Sequence, residues 1–132
     1  MKSTCVLVLL TAVLMLSCLT RPIVIPEGLT QAELIQRAQE ASDRYRYSIS
    51  LQYYETLIER FPFDIDNIIA AEYEIAFIHY KRKRYETARI GFTNLLERYN
   101  TRDAELLPPQ FKILSERILA NIIEIEESRR QQ

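Results

Sequence analysis

The sequence predicts an all-α protein built from antiparallel helical hairpins, with five helices in all. The chain holds only two glycines among its 132 residues, too few for the tight turns of a β-rich fold. From Thr30 onward, apolar residues recur at the three- and four-residue spacing of amphipathic helices. One segment is repeated at a constant offset of 38 residues, which is typical of stacked helical hairpins.

The N-terminus has the composition of a secretory leader. Residues 1–17 contain twelve apolar residues and a single charge, Lys2. The apolar run is shorter than the roughly 20 residues that a spanning helix needs, and it fits the apolar core of a signal peptide. Ser17 followed by Cys18 resembles the end of a bacterial lipoprotein signal, which implies a lipid on Cys18. An ordinary cleaved signal or a short anchor is the alternative.

Lipidation at Cys18 divides the chain into a signal peptide, a lipidated tether and a helical domain: residues 1–17, 18–29 and 30–132. Pro22 and Pro26 favour an extended tether that holds the domain off the bilayer. Because Cys5 leaves with the leader, the mature chain is expected to have no free thiol and no disulfide.

Caps and prolines predict the helix boundaries. A capping box at Thr30 starts the first helix, and Asp64 or Asp66 caps the third. Pro62 ends the second helix, and Pro109 suits the first turn of the fifth. The predicted helices span residues 30–44, 48–61, 67–81, 85–99 and 109–129, with a loop or short turn at 100–107.

The internal repeat relates the second helix to the fourth. Residues 54–61 reappear as residues 92–99. The spacing of small residues in one helix and aromatic residues in the next resembles that of a tetratricopeptide repeat. The resemblance assigns helix packing to Ala38, Tyr47, Tyr54, Ala76, Tyr85, Ala88 and Phe92. The fold is therefore predicted to hold two such repeats and a long C-terminal helix; an unrelated helical-hairpin bundle is the alternative.

A second resemblance rests on residues 59–63, Glu-Arg-Phe-Pro-Phe, and residues 95–99, Leu-Leu-Glu-Arg-Tyr. These motifs resemble the tetratricopeptide-repeat lipoproteins of the outer-membrane β-barrel assembly machinery. The resemblance implies a lipid-anchored adapter on the periplasmic face of the bacterial outer membrane, which binds other envelope proteins through a repeat groove. The alternative function is a transport-accessory lipoprotein that presents a ligand or peptide to a periplasmic binding protein.

Residue types argue against catalysis. His79 is the only histidine and falls on a packing face, so we expect no nucleophile–base pair and no zinc cluster. Two glycines cannot form a glycine-rich phosphate loop. A net charge of -1 does not fit a general nucleic-acid binder. We therefore expect no enzymatic activity, no metal, no cofactor and no nucleic-acid partner.

The repeat resemblance also implies a concave groove along the first helix of each hairpin. Its candidate residues are Ile35 and Gln39 in the first hairpin, and Tyr73, Phe77, Tyr80 and Lys81 in the second. Two interpretations stay open. Tyr73 and Phe77 either anchor a bound peptide or pack against the first and fifth helices.

Two further surfaces have alternative interpretations. The basic run at residues 81–84 either lies in solvent beside a helix C-terminus or contacts anionic lipid headgroups. On the fifth helix, Leu119 and Ile123 widen the apolar face beyond what a capping helix needs. These two residues are either buried or contact a partner, such as a second copy of the chain in a homodimer.

Overall fold

In the computed structural model, residues 23–131 are described, and they form an all-α fold with five α-helices. The helices are α1 (Gln31–Asp43), α2 (Tyr47–Arg60), α3 (Ile65–Lys81), α4 (Tyr85–Arg98) and α5 (Pro109–Arg130). A short 3-10 helix, Ala104–Leu106, lies within the predicted loop between α4 and α5. This part of the chain contains no strand. The predicted all-α class and its five helices are confirmed.

Side-chain caps begin the two helices that open the hairpins. The Thr30 hydroxyl accepts a hydrogen bond from the Glu33 N–H, and the Glu33 carboxylate accepts one from the Thr30 N–H, so the predicted capping box is present. These bonds hold the pKa of Glu33 below its usual value. Asp64 caps α3 by accepting from the Asn67 N–H at 3.2 Å, so α3 begins slightly before the predicted residue.

The two hairpins close through the same type of turn. Tyr45 and Lys83 occupy equivalent positions, and both have a positive φ, 58° and 59°. In each turn, the N–H of the following residue donates to the carbonyl oxygen five positions earlier, at 2.8 and 2.9 Å. A left-handed residue of this kind ends a helix by satisfying its last carbonyl groups. The helices that follow, α2 and α4, are both 14 residues long.

The helices pack in chain order around two cores. α1 packs on α2, α2 on α3, α3 on α4 and α4 on α5, and α5 also contacts α3. The first core contains Leu34, Ala38, Tyr54, Leu57, Ala71 and Ile78. The second core contains Ile69, Tyr73, Ala76, Ala88, Phe92, Leu95, Tyr99, Leu107 and Ile122. α3 therefore contributes to both cores.

Small residues let the two helices of each hairpin approach closely. A Cβ added at Gly91 would lie 2.9 Å from the Cβ of Ala76, which is too short for van der Waals contact. In the first hairpin, the fully buried Ser50 hydroxyl donates to the carbonyl oxygen of Ala38 at 2.8 Å. The two hairpins thus share small residues at their crossings but use different contacts there.

α5 runs antiparallel to α4. At one end, the Tyr99 hydroxyl donates to the Pro108 carbonyl oxygen at 2.7 Å. At the other end, the Arg129 guanidinium lies 4.9 Å from the centroid of the Tyr85 ring. Ile122, between these contacts, is fully buried. Neither α5 nor any other helix within residues 23–131 is long and apolar enough to cross a membrane.

The last part of the predicted tether, residues 23–29, lies on the helical domain. The Ile23 N–H donates to Gln52 Oε1 at 2.9 Å. The Arg60 guanidinium donates to two backbone carbonyl oxygens of this segment, at 2.6 and 3.1 Å. Two of the segment's aliphatic side chains pack against the first core. These residues are therefore part of the folded surface and not a free spacer, because side chains of α2 hold their backbone.

Candidate functional site

The predicted lipidation site lies outside the part of the chain that the structure describes. Cys18 and the leader at residues 1–17 precede Ile23, where that part begins. The Ile23 N–H donates a hydrogen bond to the side chain of Gln52, which lies in the middle of α2. A lipid on Cys18 would therefore be separated from the surface of α2 by only a few residues.

Four aromatic rings form a continuous array that joins α3 to α4. We call Tyr73, Phe77, Tyr80 and Tyr85 the aromatic array. Consecutive ring centroids in the array lie 5.8, 5.9 and 5.8 Å apart. The first two pairs are stacked, with interplanar angles of 17° and 14°, because residues three or four positions apart lie on one face of a helix.

Tyr73 lies in the second core and not in an open groove. Its side chain is only 7% exposed, and its ring centroid lies 5.6 Å from that of Phe92 and 5.3 Å from that of Phe111. Burial, with a smaller contribution from Glu74, raises the pKa of its hydroxyl. The assignment of Tyr73 to a partner groove is therefore corrected: α5 covers the ring, so a partner could reach it only by displacing α5.

The other end of the array remains accessible. Phe77 and Tyr80 are half-buried, and Lys81 is exposed. The Lys81 ammonium lies 5.1 Å from the centroid of the Phe77 ring and 5.3 Å from that of Tyr47, and it donates to the Ser42 hydroxyl at 2.8 Å. A cation over aromatic faces is favourable, and this one joins the two hairpins. We call Phe77, Tyr80 and Lys81 the aromatic ledge.

The two groove residues predicted on α1 do not join the aromatic array. Ile35 is half-buried and packs against the first core, whereas Gln39 is exposed. The array packs against the second core. The structure therefore distributes the predicted groove over two cores, and Lys81 is the member of the set that contacts residues of both hairpins.

Leu119 and Ile123, the predicted interface residues of α5, have different environments. Leu119 is half-buried and packs against the second core. Ile123 is 50% exposed. The two residues are four positions apart and lie on one side of α5, but they differ in burial: Leu119 packs on the core, whereas Ile123 is only partly covered.

The residues assigned to helix packing have matching environments in the two hairpins. Those at the helix crossings are buried: Ala38, Tyr54, Ala76, Ala88 and Phe92. The aromatic residues that begin α2 and α4, Tyr47 and Tyr85, are half-buried and pack against the edges of the two cores.

His79 is half-buried on α3, and its Nδ1 atom is buried without a hydrogen-bond partner. Burial, together with the positive charges of Arg84 and Arg82, lowers the pKa of the imidazole below its usual 6.5. The ring is therefore neutral at physiological pH. Within residues 23–131, no three His, Cys, Asp or Glu side chains are grouped so that they could hold a metal ion.

Sequence patterns alone miss a cleft between α3 and α4. It has a volume of about 500 Å³, and its walls carry His79 and an ion pair between Arg98 and Glu72. The Arg98 Nη2 atom lies 2.5 Å from the Glu72 Oε1 atom. One sequence signal was available, since the dipeptide at residues 59–60, Glu-Arg, recurs at residues 97–98.

The chain is similar to an uncharacterized protein of Treponema pallidum (strain Nichols), with 34% identity over 87 residues. The match covers 66% of this chain and 35% of the relative, so the chain spans about a third of that relative's length. The description of the relative names no activity, ligand or partner. No protein-family model matches the chain, and no solved structure matches it.

Proposed function

We propose that the chain is a lipid-anchored adapter with tetratricopeptide-like repeats, which binds other proteins of the bacterial envelope at the periplasmic face of the outer membrane. Participation in outer-membrane protein assembly is the function that its motifs imply by resemblance. The equivalence of the two hairpins is the observation that carries the proposal, because tandem helical hairpins commonly serve as binding scaffolds.

Three features support equivalent hairpins at one offset. Helices α2 and α4 start 38 residues apart and have the same length. Their preceding turns both place a non-glycine residue, Tyr45 or Lys83, at positive φ. Ala38 and Ala76 lie buried at the crossing of each hairpin. Because the two hairpins agree in helix length, in turn conformation and in the small residue at the helix crossing, duplication of one structural unit is favoured over an unrelated helical bundle.

The aromatic ledge is the surface proposed for the envelope partner. Aromatic side chains are enriched at protein interfaces, where they bury large apolar areas. Phe77 and Tyr80 offer such area, and Lys81 adds a charge that already stacks on Phe77. Gln39 provides an exposed polar residue on α1.

Site-specific photo-crosslinking in the bacterium that encodes the chain tests this function. The crosslinking amino acid replaces Tyr80 in the full-length protein, and a matched control places it at Arg102 in the exposed α4–α5 loop. We expect a β-barrel assembly protein to be captured from Tyr80 and not from Arg102. Capture of a periplasmic substrate-binding protein would support the transport alternative instead, and no capture from Tyr80 would contradict the adapter function of the ledge.

Membrane anchoring has its own test. Cys18→Ala should release the protein from the membrane fraction, because the lipid would have no attachment site. Cys5→Ala is the control, since this cysteine lies in the predicted leader and its loss should leave the protein in membranes. Retention of the Cys18→Ala protein in membranes would contradict lipidation.

A further inference from the structure

The outer face of the first hairpin shows how this fold holds an extended peptide. Residues 23–29 run along α2 from Gln52 towards Arg60. Gln52 accepts the Ile23 N–H at 2.9 Å, and Arg60 donates to the carbonyl oxygens of Ile25 and Pro26 at 3.1 and 2.6 Å. Apolar side chains of the segment, including that of Ile25, pack against the first core. Backbone carbonyls and aliphatic side chains are thus what this face recognises.

The second hairpin carries the same face 38 residues later, where it forms the cleft of about 500 Å³ between α3 and α4. Arg98 takes the position of Arg60, and Ile90 takes that of Gln52. No segment of residues 23–131 lies in this cleft as residues 23–29 lie on α2. The chain before α3 cannot do so, because residues 61–64 form the short turn that connects α2 to α3.

The chemistry of the cleft matches that of the first hairpin's peptide site. Its floor includes Ala76, Gly91 and Leu95, so the bottom is apolar and lacks bulky side chains near Gly91. Ile90 at its mouth is 51% exposed. An exposed isoleucine in place of Gln52 makes the second face more apolar than the first and favours an aliphatic ligand.

Arg98 keeps donors for a ligand although it pairs with Glu72. A guanidinium carries five N–H groups, and the Glu72 carboxylate takes a hydrogen bond from one nitrogen, Nη2. The Arg98 side chain is 43% exposed. The remaining N–H groups can donate to backbone carbonyls, as those of Arg60 do. His79 is neutral and adds no charge to the α3 wall of the cleft, and the Glu72 carboxylate on that wall is paired with Arg98.

We propose that the α3–α4 cleft binds an extended, proline-containing aliphatic segment of a partner polypeptide, with its backbone carbonyls held by Arg98. Proline suits this mode because it favours an extended chain and has no N–H to leave unpaired against an apolar wall. The proposal rests on the proposed adapter function for its biological context, but it concerns a face other than the aromatic ledge.

Fluorescence polarisation of a labelled peptide tests the proposal on the detergent-solubilised full-length chain. The probe is Ile-Val-Ile-Pro-Glu-Gly-Leu, the sequence of residues 23–29, because this segment already fits the equivalent face. A peptide with the aliphatic residues replaced by serine is the negative control. We expect saturable binding of the first peptide and none of the second. Absence of saturable binding would overturn the proposal.

Two variants that lose the same ion pair test whether the peptide binds at Arg98. Arg98→Gln and Glu72→Gln each remove the same ion pair, but only Arg98→Gln removes the donor to the peptide. We expect Arg98→Gln to weaken binding by about tenfold or more, as loss of a charge-assisted hydrogen bond does, and Glu72→Gln to preserve it. Equal weakening in both variants would overturn the proposal.

Arg60→Gln separates the two faces. If the probe enters the α3–α4 cleft, this variant leaves its affinity unchanged or raises it by freeing residues 23–29 to expose a second site. Binding that persists in Arg98→Gln but is lost in Arg60→Gln would place the probe on the first hairpin and contradict the proposal.

Two further outcomes concern the occupant of the cleft and its biological context. If the full-length chain dimerises and Arg98→Gln abolishes the dimer, the occupant is a second copy of the chain, and the proposal is overturned. Peptide binding without an envelope crosslink at Tyr80 would reject the proposed function and leave the cleft assignment intact.

Discussion

The two hairpins have the same backbone conformation and differ in the segments that pack over them. The first hairpin is covered by the extended residues 23–29 on one face and by α3 on another. The second is covered by α5, while its α3–α4 cleft is lined by an exposed isoleucine. Local sequence thus determines the hairpin, whereas the cover of each hairpin depends on distant parts of the chain.

The largest change in stability should follow from a substitution in α5, the helix that covers the second hairpin. Leu119→Glu should lower the free energy of unfolding by about 2–3 kcal/mol, because a carboxylate would replace an aliphatic side chain packed on the second core. Ile123→Glu, at a position that is 50% exposed, should change the free energy of unfolding by less than about 0.5 kcal/mol. Urea unfolding followed by circular dichroism measures both. Similar losses would show that the two residues share one environment.

The close approach of α3 and α4 should make Gly91→Ala destabilising. Overpacking costs about 1–3 kcal/mol, and this exceeds the gain of up to about 1 kcal/mol from removing glycine from a helix. We expect a net loss of about 1 kcal/mol. Gly28→Ala is the control, since nothing lies within 4 Å of its added Cβ. A Gly91→Ala protein as stable as the control would contradict the short contact with Ala76.

The same serine-to-alanine change should have opposite effects at two buried sites. Ser50→Ala removes the hydrogen bond to the Ala38 carbonyl and should cost about 1 kcal/mol. The Ser115 hydroxyl is buried without a partner, so Ser115→Ala should be neutral or stabilise by up to about 1 kcal/mol. Thermal unfolding compares the two variants. A greater loss from Ser115→Ala than from Ser50→Ala would contradict this assignment of the hydrogen bonds.

Glycine at the left-handed turn residues should stabilise both hairpins slightly. Tyr45 and Lys83 adopt a positive φ that costs an L-residue about 1–2 kcal/mol, and glycine's larger unfolded-state entropy offsets part of the gain. We expect a net gain of about 0.5 kcal/mol for Lys83→Gly. Tyr45→Gly should gain less, because its ring contacts Tyr47. A loss of stability in Lys83→Gly, measured by urea unfolding, would contradict the turn geometry.

The smallest expected effect is a pH dependence specific to the second hairpin. Because the folded-state pKa of His79 is lowered, the unfolded chain binds its proton first as the pH falls below 6.5. The contribution of His79 to stability is therefore fully present above pH 6.5, and it is lost as the pH falls towards the folded-state pKa. His79→Ala, which copies Ala41 of the first hairpin, should lose less stability between about pH 7.5 and pH 5.5.

Comparing the two proteins over this range removes the contribution of other groups. The carboxyl of Glu74, for example, has a pKa raised by burial, so its effect on stability has the opposite sign. This effect is present in both proteins and cancels in the difference. An identical pH dependence in the wild type and in His79→Ala would contradict the lowered pKa of the histidine.

The hairpins themselves could be predicted because their signals are local. The capping box at Thr30 places the start of α1, and the stop at Pro62 and the repeated aromatic residues place the ends of α2 and α4 within one residue of those observed. Each signal depends on neighbours within one or two helical turns. The repeat offset then relates one hairpin to the other without any knowledge of how they pack.

The covers could not be predicted because they depend on long-range contacts. Arg60 holds a carbonyl oxygen 34 positions away, and a carbonyl group is present whatever the side chain, so no residue pattern marks this bond. Burial of Tyr73 depends in the same way on where Phe111 of α5 docks. An apolar stripe on a helix identifies a face that is buried, but it does not identify the element that buries it.

The attachment of residues 23–29 to α2 determines how the domain responds to force. A pull on the N-terminus first loads the Ile23–Gln52 hydrogen bond and reaches Arg60 only afterwards, unless the pull is directed along α2 and loads both in shear. If Cys18 is lipidated as proposed, five extended residues allow at most about 17 Å between the lipid and this first bond. A force transmitted through the lipid would then act first on the side of α2, before it reaches the side chains of residues 23–29 that pack on the first core.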